Sequence, residues 1–160
     1  VHVPQANPIC DELNKKIGES LDKLNITFHE HGTYICIEGP QFSTLAESEL
    51  YRSWGCDIIG MINMPEAKLA LEAGICYSSV AMVTDYDCWH EDHDNVSVNQ
   101  IIKTLNDNSE KAVKLICHFV KEKQFECSKK IKDLSKNSVI TDITKVKKTT
   151  KTRLKHILKI

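Results

Sequence analysis

The densest run of reactive side chains is residues 83–94, VTDYDCWHEDHD, in which four aspartates, a glutamate, two histidines and a cysteine follow an apolar stretch. Metal binding, acid–base work and plain solvation all draw on these residue types. Cys88, His90 and His93 have zinc-ligand chemistry, but no second cluster completes a closed tetrahedral set, so no metal is expected. Residues 90–94 read as a solvated loop. Asp85 and Asp87 are different because they end an apolar run, where an uncompensated charge is costly. Two neighbouring carboxyls do not both ionise easily, so one can hold a proton near neutrality. Such a pair can donate to one ring nitrogen and accept from an amino group, which is the chemistry a purine leaving group needs. The plainer alternative is that both are turn and cap residues.

The elements that must position these residues alternate in type. Ile9, Leu13, Ile17, Leu21 and Leu24 recur at helical spacing. GTYICIEGP is β-prone and stops at Gly39–Pro40, since proline cannot donate to a ladder. Thr44 to Trp54 is helical, with Gly55 as its stop. CDIIGM reads as a second strand. Pro65 suits a first helical turn and Gly74 closes that helix. ICYSSVAMVT, residues 75–84, reads as a strand covered on both faces. Ser97 with Gln100 forms a capping box for a long helix to about Glu122. The expected fold is α/β around a parallel or mixed sheet, with ligands at strand ends. Those ends are Glu38–Ser43, Met61–Asn63 and Asp85–Asp87.

Composition narrows the classes. A chain of 160 residues supports one domain with a core. No apolar window approaches the roughly 20 residues of a membrane helix, and no signal core follows a basic start. Seven cysteines without a CxxC pair argue against a disulfide framework, so a soluble cytoplasmic protein is expected. The net charge of −1 conceals a split: residues 1–127 carry 10 Lys/Arg against 20 Asp/Glu, and residues 128–160 carry 11 against 2. The tail has one arginine and no aromatic residue. It reads as a basic extension over 126–160, partly helical or flexible, with a nucleic-acid role not expected.

The blocks EGPQFSTLAES, GMINMPEAKLALEAGICY and AMVTDYDCW, in this order, closely resemble the second half of the methylthioadenosine phosphorylases of the trimeric purine nucleoside phosphorylase family. The resemblance runs from about Val1 to Phe119. It implies the C-terminal part, residues 1–125, of that family's mixed-sheet, three-layer fold, with the sheet incomplete in this chain. The implied reaction is phosphorolysis of S-methyl-5'-thioadenosine to adenine and 5-methylthioribose 1-phosphate, without a cofactor and with phosphate as co-substrate. On the same resemblance, Asp85 is the catalytic group at purine N7 and Asp87 the partner of the exocyclic amine, with Tyr86 between them. Met61 holds the ribose, and Phe42 lines the base and ribose pocket. Ser43 and Val98 occupy the positions that select a methylthio substrate over adenosine, with Ile101 and Ile102 adding apolar wall. His2 reaches a neighbouring subunit's pocket in a homotrimer.

Two departures qualify that expectation. Ile62 stands where the family has a threonine or serine that hydrogen-bonds phosphate, and isoleucine has no hydroxyl to donate. The family's glycine-rich phosphate turn and its arginine–histidine pair have no counterpart here, because the six glycines are isolated. The expected enzyme therefore needs the other half of the family domain, and unpaired apolar strand faces are expected. The alternative is an inactive remnant that binds adenine nucleosides or assembles with full-length subunits.

Overall fold

The computed structural model describes residues 2–90, 98–122 and 125–158. In chain order these form α1 (Asp11–Lys23), β1 (Tyr34–Cys36), α2 (Leu45–Ser53), β2 (Ile58–Gly60), α3 (Asn63–Glu72), α4 (Val98–Glu122), α5 (Lys129–Lys132), α6 (Leu134–Asn137) and α7 (Lys148–Leu158). A 3-10 turn at Ile143–Lys145 precedes α7. The chain divides into two compact units, one of Val1–Lys16, Asn63–Ser79 and Gln124–Ile160, the other of Ile17–Ile62 and Val80–Lys123.

In the second unit β1 and β2 pair in parallel, with Tyr34 opposite Ile58, Ile35 opposite Ile59 and Cys36 opposite Gly60. Parallel strands cannot be joined by a tight hairpin, and α2 supplies the crossover. Its start is fixed by a capping box in which the Thr44 N–H donates to the Glu47 carboxylate at 2.8 Å and the Glu47 N–H donates to Thr44 Oγ1 at 3.3 Å, and the Thr44 hydroxyl donates to the same carboxylate at 2.8 Å. The Thr44 backbone N–H, then its hydroxyl, hold the Glu47 carboxyl below its ordinary value of 4.5. Gly55, at φ +76°, ends the helix as expected. The ladder's other end is tied by the Thr33 N–H donating to Asp57 at 2.6 Å. A Cβ at Gly60 would lie 1.9 Å from the Tyr34 hydroxyl oxygen, so any side chain there would have to displace the Tyr34 ring. Lys23 of α1 pairs with Glu122 of α4 at 2.7 Å.

In the first unit the regular turns of α3 begin at Pro65, since Met64 is non-helical, and Ala67 and Leu71 are buried. Gly74 permits close approach of the tail: a Cβ there would meet the Lys132 carbonyl oxygen at 2.8 Å. The Cys10 N–H donates to the Tyr77 carbonyl at 2.8 Å, and the buried Ser135 hydroxyl donates to the Ile157 carbonyl at 3.2 Å.

Two expectations are corrected. Residues 75–84 are not a strand: among the described residues only β1 and β2 form a ladder, and this segment has no ladder partner. Its Val80, Met82 and Val83 are exposed rather than covered. The cysteines also include one disulfide, Cys76–Cys127, across a sequence separation of 51 residues. Folding brings the start of the tail to the residue that follows α3 and Gly74, and a separation that long leaves no local signature. Among the described residues no helix is long and apolar enough to cross a membrane.

Candidate functional site

Within the second unit, the loop between β1 and α2 meets Met61 after β2 and the segment at Asp87–Cys88. At its start Gly39, with φ +70°, backs onto Met61, and a Cβ on Gly39 would come 2.6 Å from Met61 Sδ. Glycine is therefore favoured twice, by backbone conformation and by space. At its end Ser43 precedes the Thr44 cap. The Ser43 carbonyl accepts from the Cys88 thiol at 3.7 Å, and its hydroxyl lies 3.2 Å from that of Ser48. Met61 after β2 and the DYDC segment thus meet two ends of one loop.

Ser48, on the inward side of α2 and 2% exposed, donates to Asp87 Oδ2. The Cys88 Sγ lies 3.4 Å from the same Ser48 oxygen. Asp87 itself has φ +34°, an uncommon conformation for a residue with a side chain, although aspartate tolerates it better than most. One turn further along α2, the Arg52 guanidinium carbon sits 3.7 Å from the Trp89 ring centroid. Trp89 in turn meets the Tyr86 ring edge-on at 6.1 Å, and Tyr86 lies 4.9 Å from the His90 ring. Helix α2 therefore holds residues 87–89 at two points, Ser48 and Arg52, spaced i,i+4 on one face.

The two aspartates do not share a partner. Asp85 is exposed, and its Oδ2 accepts the Thr84 hydroxyl at 2.6 Å, whereas Asp87 turns toward Ser48. Of the residues expected from sequence, the structure brings Ser43 and Asp87 into one hydrogen-bonded group and attaches Met61 to the same loop. Phe42 is 85% exposed and Ile62 is 69% exposed. Tyr86 and Ile102 are exposed as well. His2 belongs to the other unit, where its N–H donates to the Ser138 carbonyl at 2.9 Å. Val98 begins α4, but its side chain and that of Ile101 lie outside what is described, as do Ser97, Gln100's side chain and His93. Sequence reasoning missed Ser48 and Arg52. Their i,i+4 spacing on α2 was readable, but nothing in one sequence says which helix face a loop will use.

Residues 1–121 match the family model of the phosphorylase superfamily. The chain belongs to the phosphorylase superfamily. Within that superfamily it is 47% identical over 157 residues to the S-methyl-5'-thioadenosine phosphorylase of Koribacter versatilis strain Ellin345, covering 98% of this chain and 54% of that protein. The crystal structure of a methylthioadenosine phosphorylase from an antarctic soil metagenomic library matches with a TM-score of 0.88 at 40% identity, covering 98% of this chain and 56% of that one. An adenosine/methylthioadenosine phosphorylase variant from Schistosoma mansoni, solved in complex with methylthioadenosine, matches with a TM-score of 0.77 at 28% identity, covering 88% and 55%. This phosphorylase-superfamily chain spans about half the length of the curated relatives named here.

Proposed function

We propose that the chain is the purine-recognising part of an enzyme that converts S-methyl-5'-thioadenosine and phosphate into adenine and 5-methylthioribose 1-phosphate. The observation that carries the reading is the convergence of Met61 and the Asp85–Cys88 segment on the two ends of the Gly39–Ser43 loop. In the reaction a phosphate oxygen bonds to the anomeric carbon as the bond to purine N9 breaks, and the bonding electrons pass into the ring. Asp85 donates a proton or hydrogen bond at N7, assistance of a kind worth roughly 10²–10⁴ in rate. Its Oδ2 already accepts from Thr84, which leaves Oδ1 for the base. Asp87 accepts from the 6-amino group, and an oxopurine would present an acceptor to an acceptor there. Met61 and Phe42 pack the ribose and base. Ser43 and Val98 favour a thioether over a hydroxyl, since a thioether needs burial rather than hydrogen bonds.

No cofactor enters this scheme. Phosphate, as co-substrate, is held by polypeptide corresponding to the part of the relatives outside the match, because Ile62 offers no hydroxyl. The active form is a homotrimer in which His2 serves a neighbouring subunit. A cytoplasmic setting fits the five free thiols, while the Cys76–Cys127 disulfide argues the other way. The test is adenine release from S-methyl-5'-thioadenosine and phosphate. None is expected from the 160-residue chain alone. Release is expected once the unmatched portion of the Koribacter relative is supplied. Release by the chain alone would refute the assignment of phosphate binding, and no release from the mixture would refute the proposed reaction.

A further inference from the structure

We propose that Ser48 is a positioning residue that commits Asp87 to accept hydrogen bonds and thereby selects a 6-aminopurine over a 6-oxopurine. The inference rests on the functional reading above and deepens it. The hydroxyl of a serine that is 2% exposed has to place its proton on a protein acceptor. Three groups lie within reach: Asp87 Oδ2, Ser43 Oγ at 3.2 Å and Cys88 Sγ at 3.4 Å. A carboxylate is much the strongest acceptor of the three. Ser48 has only one proton, so giving it to Asp87 leaves Ser48 to accept from the Ser43 hydroxyl. The result is a directed chain, Ser43 to Ser48 to Asp87, that ends on the carboxylate.

Two consequences follow for Asp87. With one oxygen already accepting from a buried donor, its other oxygen is oriented and remains an acceptor. An exocyclic amine supplies the matching donor, whereas an exocyclic carbonyl does not. The grip also ties down a residue whose φ is +34°, and Arg52 over Trp89 contacts the next part of the segment from the same helix face. Ser48 touches no substrate in this scheme and acts wholly through Asp87.

The experiment is a double-mutant cycle on the full chain, read by calorimetric titration with adenine and, separately, with hypoxanthine. Ser48→Ala is expected to weaken adenine binding about tenfold, the size of one hydrogen bond to a charged group, and to leave hypoxanthine nearly unaffected. In an Asp87→Ala background the same substitution should change nothing further, because its only route is gone. Ser48→Thr, which keeps the hydroxyl, should restore the adenine preference. An unchanged adenine-to-hypoxanthine ratio in Ser48→Ala overturns the proposal, as does an additive loss in the Asp87→Ala background. Failure of the unsubstituted chain to bind adenine defeats the functional reading and the inference with it. Adenine binding that survives with its selectivity intact in Ser48→Ala defeats the inference alone.

Discussion

Gly39→Ala separates the two demands made on that residue, and Gly55→Ala is its internal control. Both glycines have positive φ, +70° and +76°, but a Cβ at Gly55 meets nothing within 4 Å, whereas at Gly39 it meets Met61 Sδ at 2.6 Å. The backbone term alone, for a residue with a side chain in left-handed conformation, is about 1–2 kcal/mol. Ala also restricts the unfolded chain, offsetting roughly 0.4–1 kcal/mol, so Gly55→Ala should cost about 1 kcal/mol. At Gly39 the sulfur has to retreat by roughly 1 Å to regain an ordinary contact. Overpacking adds about 1 kcal/mol, the lower end of its range because methionine is unbranched and Met61 is only half-buried. Gly39→Ala should therefore cost about 2 kcal/mol. Urea unfolding gives both values, and a ¹³C-methyl label on Met61 reports the displacement. In a Met61→Ala background the excess at Gly39 should vanish. Equal losses at the two glycines, with an unmoved Met61 methyl resonance, would refute the contact and with it the link between Met61 and the loop.

Other outcomes follow from separate parts of the molecule. Thr44→Ala removes the side-chain half of the capping box, leaving the backbone N–H to Glu47 in place, and should cost about 1 kcal/mol in urea unfolding. Because the folded value of Glu47 is depressed, the stability it contributes is fully present above its ordinary 4.5 and drains away as pH falls through the lower folded value. Thr44→Ala keeps the dominant backbone N–H contact, so it should make that acid limb shallower without abolishing it, and an unaltered pH profile would count against the hydroxyl contact. Reducing the Cys76–Cys127 disulfide, which spans 51 residues, should lower thermal stability by up to about 4 kcal/mol on loop entropy alone. Seven titratable thiols in the unreduced denatured chain, rather than five, would show the bond absent. Arg52→Ala should shift Trp89 emission at a cost of about 0.5–1 kcal/mol. Unchanged emission would mean the guanidinium does not cover the ring.

What could be read from sequence was what depends on local rules. The helical run from Thr44 to Trp54, the Gly55 and Gly74 stops and Pro65 in a first turn are set within a few residues, and α2 and α3 follow them closely. The parallel β1–β2 pair followed from two β-prone runs separated by a helix-length segment. Residues 75–84 misled because an apolar run has the same composition whether or not a strand lies beside it, and pairing is decided by the neighbour. The acidic pair at 85 and 87 was visible as chemistry, but its division between Thr84 and Ser48 depends on helix packing and on the positive φ at Asp87. Ser48 carried no signal because a serine inside a helix usually faces water, and only the fold turns this one inward.

The reading stands or falls on whether adenine seats where the Gly39–Ser43 loop, Met61 and the Asp85–Cys88 segment converge. Titrating ¹⁵N- and methyl-labelled chain with adenine and following its NMR resonances tests this residue by residue. Saturable shifts at Phe42, Met61, Asp85 and Asp87, with the α7 resonances unmoved, are expected. Shifts absent from these residues, or confined to the basic tail, would contradict it.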